Sequence, residues 1–424
     1  MWRAILNAFR IKEIRNRILY TIAILALYRF GANITVPGVD ANAITEQVQS
    51  GLLGVMDLFS GGALSRFAVF SLGIMPYITA TIIMQLLQVV IPALERLSKE
   101  GEFGRKRINQ IARYMTTGLA LIQSVAMVFY FRNFNAIPKF DAMHIILIVV
   151  TLTAGTTLIM WLGELINLHG VGNGISLLIF ASIVSRMPGQ ILTMFRLKSF
   201  ESLSNILFII AFAAIAVGVI MAVIEMTQGE RRIPVQYAKR IVGRKVFGGQ
   251  STYLPLKVNQ AGVMPIIFAV SVLLFPATIA QFANVSWLNR IANLLTPSAE
   301  GKINPVYAVI YLLLIIFFAY FYGAITFNPM DTADNLRRYG GFIPGIRPGK
   351  NTADYLSHIL NRITLPGAVF LAMIALLPEL LITYGNMPFR FGGTSILIAV
   401  SVALETMRQL ESQLIMRDYE GFLK

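Results

Sequence analysis

The sequence predicts an all-α membrane protein of ten transmembrane helices, and three observations carry that prediction. Apolar residues make up 56% of the 424 and charged residues 13%, with a mean hydropathy of +0.67, whereas a soluble domain is roughly one-quarter charged. The apolar residues arrive in long blocks between short basic loops, the pattern of helices of about 20 residues crossing a hydrocarbon core of about 30 Å. Lys and Arg fall on alternate loops, because basic residues near span ends resist translocation.

The expected spans run 18–36, 71–91, 115–131, 145–166, 174–187, 205–227, 259–283, 305–328, 363–383 and 393–412. Arg3, Arg10, Lys12, Arg15 and Arg17 precede the first and give it the look of a secretion signal. The run from Ile18 to Val36 is longer than a signal's apolar region and ends without a small-x-small cleavage site, so it reads as a retained helix. The N-terminus, even-numbered loops and C-terminal tail hold 26 Lys and Arg against 9 on the odd-numbered loops, and Arg29 inside the first span completes the 36. Both termini are therefore expected in the cytoplasm, and the number of spans is even.

Between the first two spans, Asp57 to Phe70 reads DLFSGGALSRFAVF: apolar, broken by Gly61, Gly62 and Arg66, and too short to cross. Two readings stand side by side. It is a partly helical re-entrant segment folded into the bundle, where irregular backbone is tolerated, or an amphipathic helix on the outer face. Two cytoplasmic loops, 228–258 and 329–362, are unusually long for a compact bundle and read either as docking surfaces or as solvated topology signals.

Several chemistries are excluded or unsupported. A formal charge of +15 suits nucleic-acid binding only where the basic residues gather on a solvated domain, and none is visible. Without cysteine there is no disulfide framework and no Cys-ligated metal. His144, His169 and His358 lie far apart, and no HExxH, GxxxxGK[ST] or GxSxG occurs, so the reading is of a non-enzyme with no cofactor and no metal site. A secondary transporter usually carries ionisable residues at mid-span; Arg29, Glu164, Glu225, Glu379 and Glu405 lie toward span ends, where snorkelling is the cheaper explanation.

Longer stretches carry a family resemblance. RRIPVQYAKRIVGRKVFGGQSTYLPLKVNQAGVMPI from Arg231 and NPMDTADNLRRYGGFIPGIRPG from Asn328 resemble the two long cytoplasmic loops of the SecY family, the channel-forming subunits of the bacterial Sec translocon. FSGGALSRFAVFSLGIMPYITATIIMQLL near residue 59, GVGNGISLLIFASIV from Gly170, LFPATIA from Leu274 and GGTSILI from Gly392 match in the same order.

The resemblance implies two pseudo-symmetric five-helix halves, residues 1–187 and 205–424, hinged at 188–204 around a central pore. It implies a short plug helix at Ser60, Gly61, Gly62, Ala63, Leu64, Ser65, Arg66 and Phe67, which favours the re-entrant reading, and a pore ring at Ile74, Ile78, Ile175, Ile179, Ile267 and Ile398. Two ring pairs are spaced i, i+4 and so share a helix face, and branched aliphatic side chains make a stiff seal that drives water out. A lateral gate is implied between the second and seventh spans, where Thr79, Gln85 and Gln88 stand opposite Asn259 and Gln260. Hydrogen bonds across that seam would be worth about 1 kcal/mol each, and ordinary interhelical contact would use the same residues.

The implied activity is conduction of unfolded secretory polypeptides across the bacterial plasma (inner) membrane and lateral release of hydrophobic segments into lipid. The implied partners are the SecE and SecG membrane subunits, the SecA ATPase, the ribosome with its rRNA, preproteins bearing signal sequences, and membrane lipid. Motor and ribosome docking falls on Arg231, Arg232, Lys239, Arg240, Arg244, Lys245 and Arg347, cations suited to acidic surfaces and rRNA phosphate. A small-solute transporter is the alternative, and a membrane scaffold comes third.

Overall fold

Each apolar block forms a helix, because a backbone surrounded by lipid has to satisfy its own hydrogen bonds. The computed structural model describes residues 9, 11–48, 51–132, 134, 136–138, 140–197, 203–237, 240–242, 245–247, 251–283, 287, 290, 294–295, 304–385 and 393–422. The first half is built from α1 (Lys12–Gly31), two short helices α2 (Ala41–Val48) and α3 (Gly51–Ser60), then α4 (Met75–Val90), α5 (Pro92–Lys99), α6 (Glu102–Arg132), α7 (Ala142–His169) and α8 (Gly174–Leu197). The second half runs through α9 (Leu203–Gln228), strands β1 (Glu230–Tyr237), β2 (Arg240–Val242), β3 (Lys245–Phe247) and β4 (Ser251–Lys257), then α10 (Met264–Ala283), α11 (Pro305–Thr326), α12 (Pro329–Arg338), β5 (Gly341–Phe342), α13 (Lys350–Gly385) and α14 (Gly393–Phe422).

A helix thus occupies each of the ten expected spans. Six helical stretches among the described residues are long and apolar enough to cross a membrane by themselves, and a seventh if α4 and α5, bent by 100°, count as one. Helix α9 shows why the outer surface belongs in lipid: Leu207, Ile210, Val217 and Met221 are each more than half exposed, which in water would be an aggregation face.

Several boundaries move, for local reasons. The first helix ends at Gly31, and residues 34–36 are extended instead, with Val36 N–H on the Phe67 carbonyl and Val69 N–H on the Ile34 carbonyl, both at 2.9 Å. The second begins only at Met75, with Pro76 in its first turn where no N–H is needed. Helix α6 starts at Glu102, α13 at Lys350, and α14 continues to Phe422, because polar helical turns extend beyond the apolar core. The loop expected from Pro188 begins as helix through Leu197, with Pro188 inside it, and residues 198–202 lie outside the described ones.

The two long loops are not separate surfaces. Strand β1 pairs antiparallel with β4, Ile233 opposite Leu254, and on its other edge with β5, Gln236 opposite Phe342, so the sheet order β4-β1-β5 stitches both loops together. Ile233 and Val235 alternate with exposed neighbours along β1 and bury against Leu256, Ile343 and Leu356 in a core of their own. The bundle is helical as expected; these strands are the addition.

Within the bundle, the halves meet along two lines. Helix α10 packs on α4 and α6, and α14 packs on α8. One large apolar core runs through both halves.

Candidate functional site

The segment after α3 is irregular rather than helical. The helix expected at the plug ends at Ser60, and residues 61–74 are turns apart from the single β-bridge between Thr35 and Ala68. Gly61 and Gly62 have φ of +67° and +88°, and Phe67 also sits in the left-handed region at +44°, where a side chain is strained. Glycine is required twice over, since a Cβ on Gly61 would lie 2.7 Å from the Arg29 guanidinium. The segment is buried: Ser60, Ala63, Leu64 and Phe67 are each at most 1% exposed, Ser65 is half-buried, and Arg66 alone faces solvent. Burial excludes the surface-helix reading.

Directional contacts hold it there. Asp57 accepts from Arg186 at 2.5 Å and from the Ser65 N–H at 2.9 Å. Arg29 Nη1 donates to the Gly61 carbonyl at 3.0 Å, and the hydroxyls of Tyr28 and Ser182 bond at 2.6 Å beside it. Tyr28 stacks on Phe70, Phe67 meets Phe131 edge-on, and Arg66 bonds Asn33. A Cβ on Gly155 of α7 would fall 2.0 Å from the Val69 carbonyl, so helix and segment touch backbone to backbone.

Four of the six isoleucines expected to form a ring, Ile78, Ile175, Ile179 and Ile267, line one cavity. Ile74, Ile78, Ile179, Ile267 and Ile398 are at most 3% exposed and belong to the same core as Leu64, Phe67 and Leu72, with half-buried Ile175 packed against it. The cavity measures about 240 Å³, with polar Thr81, Gln85, Asn173 and Ser176 beside the isoleucines. On the other side of the plug, a cavity of about 590 Å³ is lined by Arg29, Asp57, Arg66, Ser185, Arg186, Gln190 and Thr193.

Helix α8 connects the two. Ile175, Ile179, Ser182, Arg186, Gly189 or Gln190, and Thr193 recur every three or four residues and so share one face, running from the smaller cavity past the segment to the larger one. At 1.5 Å per residue that face is about 27 Å long, close to a hydrocarbon thickness. Cavities with polar lining at both ends and buried apolar residues between them are what this stripe lines.

The seam between α4 and α10 differs from the expectation. Among the described residues no hydrogen bond crosses it from Thr79, Gln85, Gln88, Asn259 or Gln260. Thr79 donates to Met75 of its own helix, Asn259 to the Gly262 carbonyl, and the Gln85 Oε1 is buried without a partner; Gln88 is half-buried. Gln260 points away from the seam, into a cavity lined by Phe317, Tyr320 and Leu360, because it precedes the first turn of α10. The expected Thr79 is joined by Gln123 of α6 and Ser271 of α10 around a pocket of about 20 Å³, and Gln85 lines the cavity of about 240 Å³ together with Met264 and Ile267 of α10. Gln123 was missed because the third helix of the seam cannot be read from the two others. Glu164, read above as an interfacial group, pairs with Arg113 at 2.6 Å.

The basic residues expected to dock partners are at the sheet end of the bundle. Arg231 and Arg232 lie exposed on β1, Arg232 paired with Glu230 at 2.7 Å. In the β2–β3 hairpin Arg240 pairs with Phe247 and Lys245 with Val242, and Lys239 and Arg244 lie outside the described residues. Arg347 is exposed on the turn between β5 and α13, where its carbonyl accepts from Thr352 at 2.9 Å.

Many apolar helices enclosing a waist with a folded-back segment define a multi-pass membrane channel fold. The sequence profile of the SecY family matches residues 68–407. Protein translocase subunit SecY of Streptomyces galbus is 48% identical over 445 residues and that of Mycobacterium tuberculosis 45% over 454, in both cases covering all of both chains. This chain belongs to the SecY family. A solved protein-conducting channel superposes with a TM-score of 0.69 at 19% identity, over 95% of this chain and 93% of the other, and Sec61 from a canine ribosome-channel complex with 0.64 at 18%, over 95% and 93%.

Proposed function

We propose that this chain is the channel-forming subunit of a bacterial protein translocase, which passes unfolded secretory polypeptides through the plasma (inner) membrane and releases hydrophobic segments sideways into lipid. The observation that carries the reading is the apolar waist between two cavities, with a buried segment seated in it. A conduit for any sequence needs a lining with no hydrogen bonds or charges to trap the passing chain, yet one that excludes water and ions while idle. The six isoleucines supply such a lining, and the segment 60–67 acts as the plug above it. Opening separates residues 1–187 from 205–424 about the connection between α8 and α9, and parts α4 and α6 from α10.

The chain supplies conduction, and partners supply the energy. The sheet joining both long loops offers Arg231, Arg232 and Arg347 on one rigid platform, suited to a SecA-type ATPase or to the ribosome; among solved neighbours, Sec61 and Ssh1 come from ribosome complexes. SecE and SecG complete the membrane assembly, and both termini of this chain lie in the cytoplasm. The test is ATP-driven translocation of a radiolabelled preprotein into proteoliposomes containing the chain, SecE, SecG and SecA. Wild type yields protease-protected product and Arg347→Glu lowers its rate about tenfold, a loss of about 1.4 kcal/mol in the docked state; absence of wild-type product despite correct insertion would contradict the reading.

A further inference from the structure

We propose that the ion pair between buried Asp57 and half-buried Arg186 is the latch of the plug, the contact that parts before the segment leaves the waist; the proposal rests on the channel reading above. Asp57 closes α3, and its side chain is only 3% exposed. One carboxylate oxygen takes the Arg186 guanidinium at 2.5 Å, and the other takes the Ser65 N–H at 2.9 Å and, more loosely, the Ser60 hydroxyl at 3.4 Å. One side chain therefore ties together the end of α3, the irregular turn of the plug and the pore face of α8. Gly62 follows the guanidinium closely, since a Cβ there would lie 3.4 Å from the Arg186 Nε.

Charge makes this pair a switch rather than a passive clip. Among the described residues lining the larger cavity, Asp57 is the one carboxylate among three guanidiniums, those of Arg29, Arg66 and Arg186. While Asp57 is seated, it compensates that cluster; a buried charge deprived of its partner is strongly disfavoured, so separating the two is costly until both reach water. The cavity of about 590 Å³ beside them supplies that water once the segment swings outward. A chain entering the waist from the smaller cavity pushes on Leu64 and Phe67 and pulls Asp57 off Arg186, and withdrawal of the chain lets the pair re-form.

The experiment measures ion leak through resting channels in proteoliposomes, together with translocation of an ordinary preprotein and of one with a weakened signal. Asp57→Asn keeps an oxygen for the Ser65 N–H and removes only the charge, so leak and export of the weakened substrate rise about tenfold while ordinary translocation persists. Arg186→Lys keeps the charge and stays near wild type. Persisting translocation of the ordinary preprotein shows that the variant is folded, so a raised leak reports the loss of the latch. If Asp57→Asn does not accumulate, Arg186→Met carries the same prediction. Wild type translocating while Asp57→Asn is as tight as wild type overturns the latch alone; wild type failing to translocate overturns the channel reading and the latch with it.

Discussion

Two closed places in this molecule are closed by different forces. At the plug, the Asp57 carboxylate and the Arg29 guanidinium bond the segment directly at 2.9 and 3.0 Å, Arg186 holds Asp57 at 2.5 Å, Tyr28 and Ser182 bond each other beside it at 2.6 Å, and Gly155 lets α7 back it at van der Waals distance or closer. Along the α4–α10 seam the contacts are apolar, Thr79 and Ser271 bond back to their own helices, and the Gln85 and Gln123 oxygens are buried without partners. Lipid tails are as apolar as the side chains they would replace, so apolar contact gives little net preference for the closed seam. Directional bonds suit a part that has to stay shut until released, and lipid-like contact suits a part that exchanges protein for a passing hydrophobic segment.

That contrast breaks most readily at the plug. Gly155→Leu drives a side chain into the Val69 backbone and should cost about 3 kcal/mol, seen as lost thermal stability and poor recovery of folded protein in detergent; undisturbed stability would mean that the segment is not seated on α7. Next come Ile267→Asn and Ile398→Asn, each placing an amide at a site no more than 3% exposed, at about 2 kcal/mol. Both should raise resting ion leak and admit preproteins with weakened signals, and a tight channel in both variants removes them from the seal. The seam should respond in the opposite sense: Gln123→Leu relieves an unpaired amide and tightens the closed state by up to about 1 kcal/mol, measured as stricter signal requirement in translocation. Smallest is Thr79→Val, within about 0.5 kcal/mol, because its hydroxyl serves its own helix. A seam loosened by either change would erase the distinction.

The sequence made some of this visible and hid the rest for physical reasons. Block hydropathy and alternating basic loops give the spans, and the i, i+4 pairs Ile74 with Ile78 and Ile175 with Ile179 are legible as faces. The continuation of that face through Ser182, Arg186 and Thr193 obeys the same period but mixes apolar, hydroxyl and charged residues, so hydropathy alone passes over it. Ile267 and Ile398 sit in uniformly apolar helices, where nothing but resemblance separates a pore face from a lipid face. The β4-β1-β5 sheet joins strands about a hundred residues apart, and the Asp57–Arg186 pair spans a similar gap; contacts of that kind leave no local period. The period-2 alternation of Ile233 and Val235 within a charged stretch was the available sign of β1.

If translocating polypeptide passes between these isoleucines, site-specific crosslinking will catch it there. A photoreactive residue replacing Ile179 or Ile267, or lipid-facing Ile210, 59% exposed on α9, is irradiated while a preprotein is stalled midway through the membrane. Adducts to the stalled chain are expected at Ile179 and Ile267, with none above background at Ile210. Equal adducts at all three, or adducts at Ile210 alone, would contradict that route.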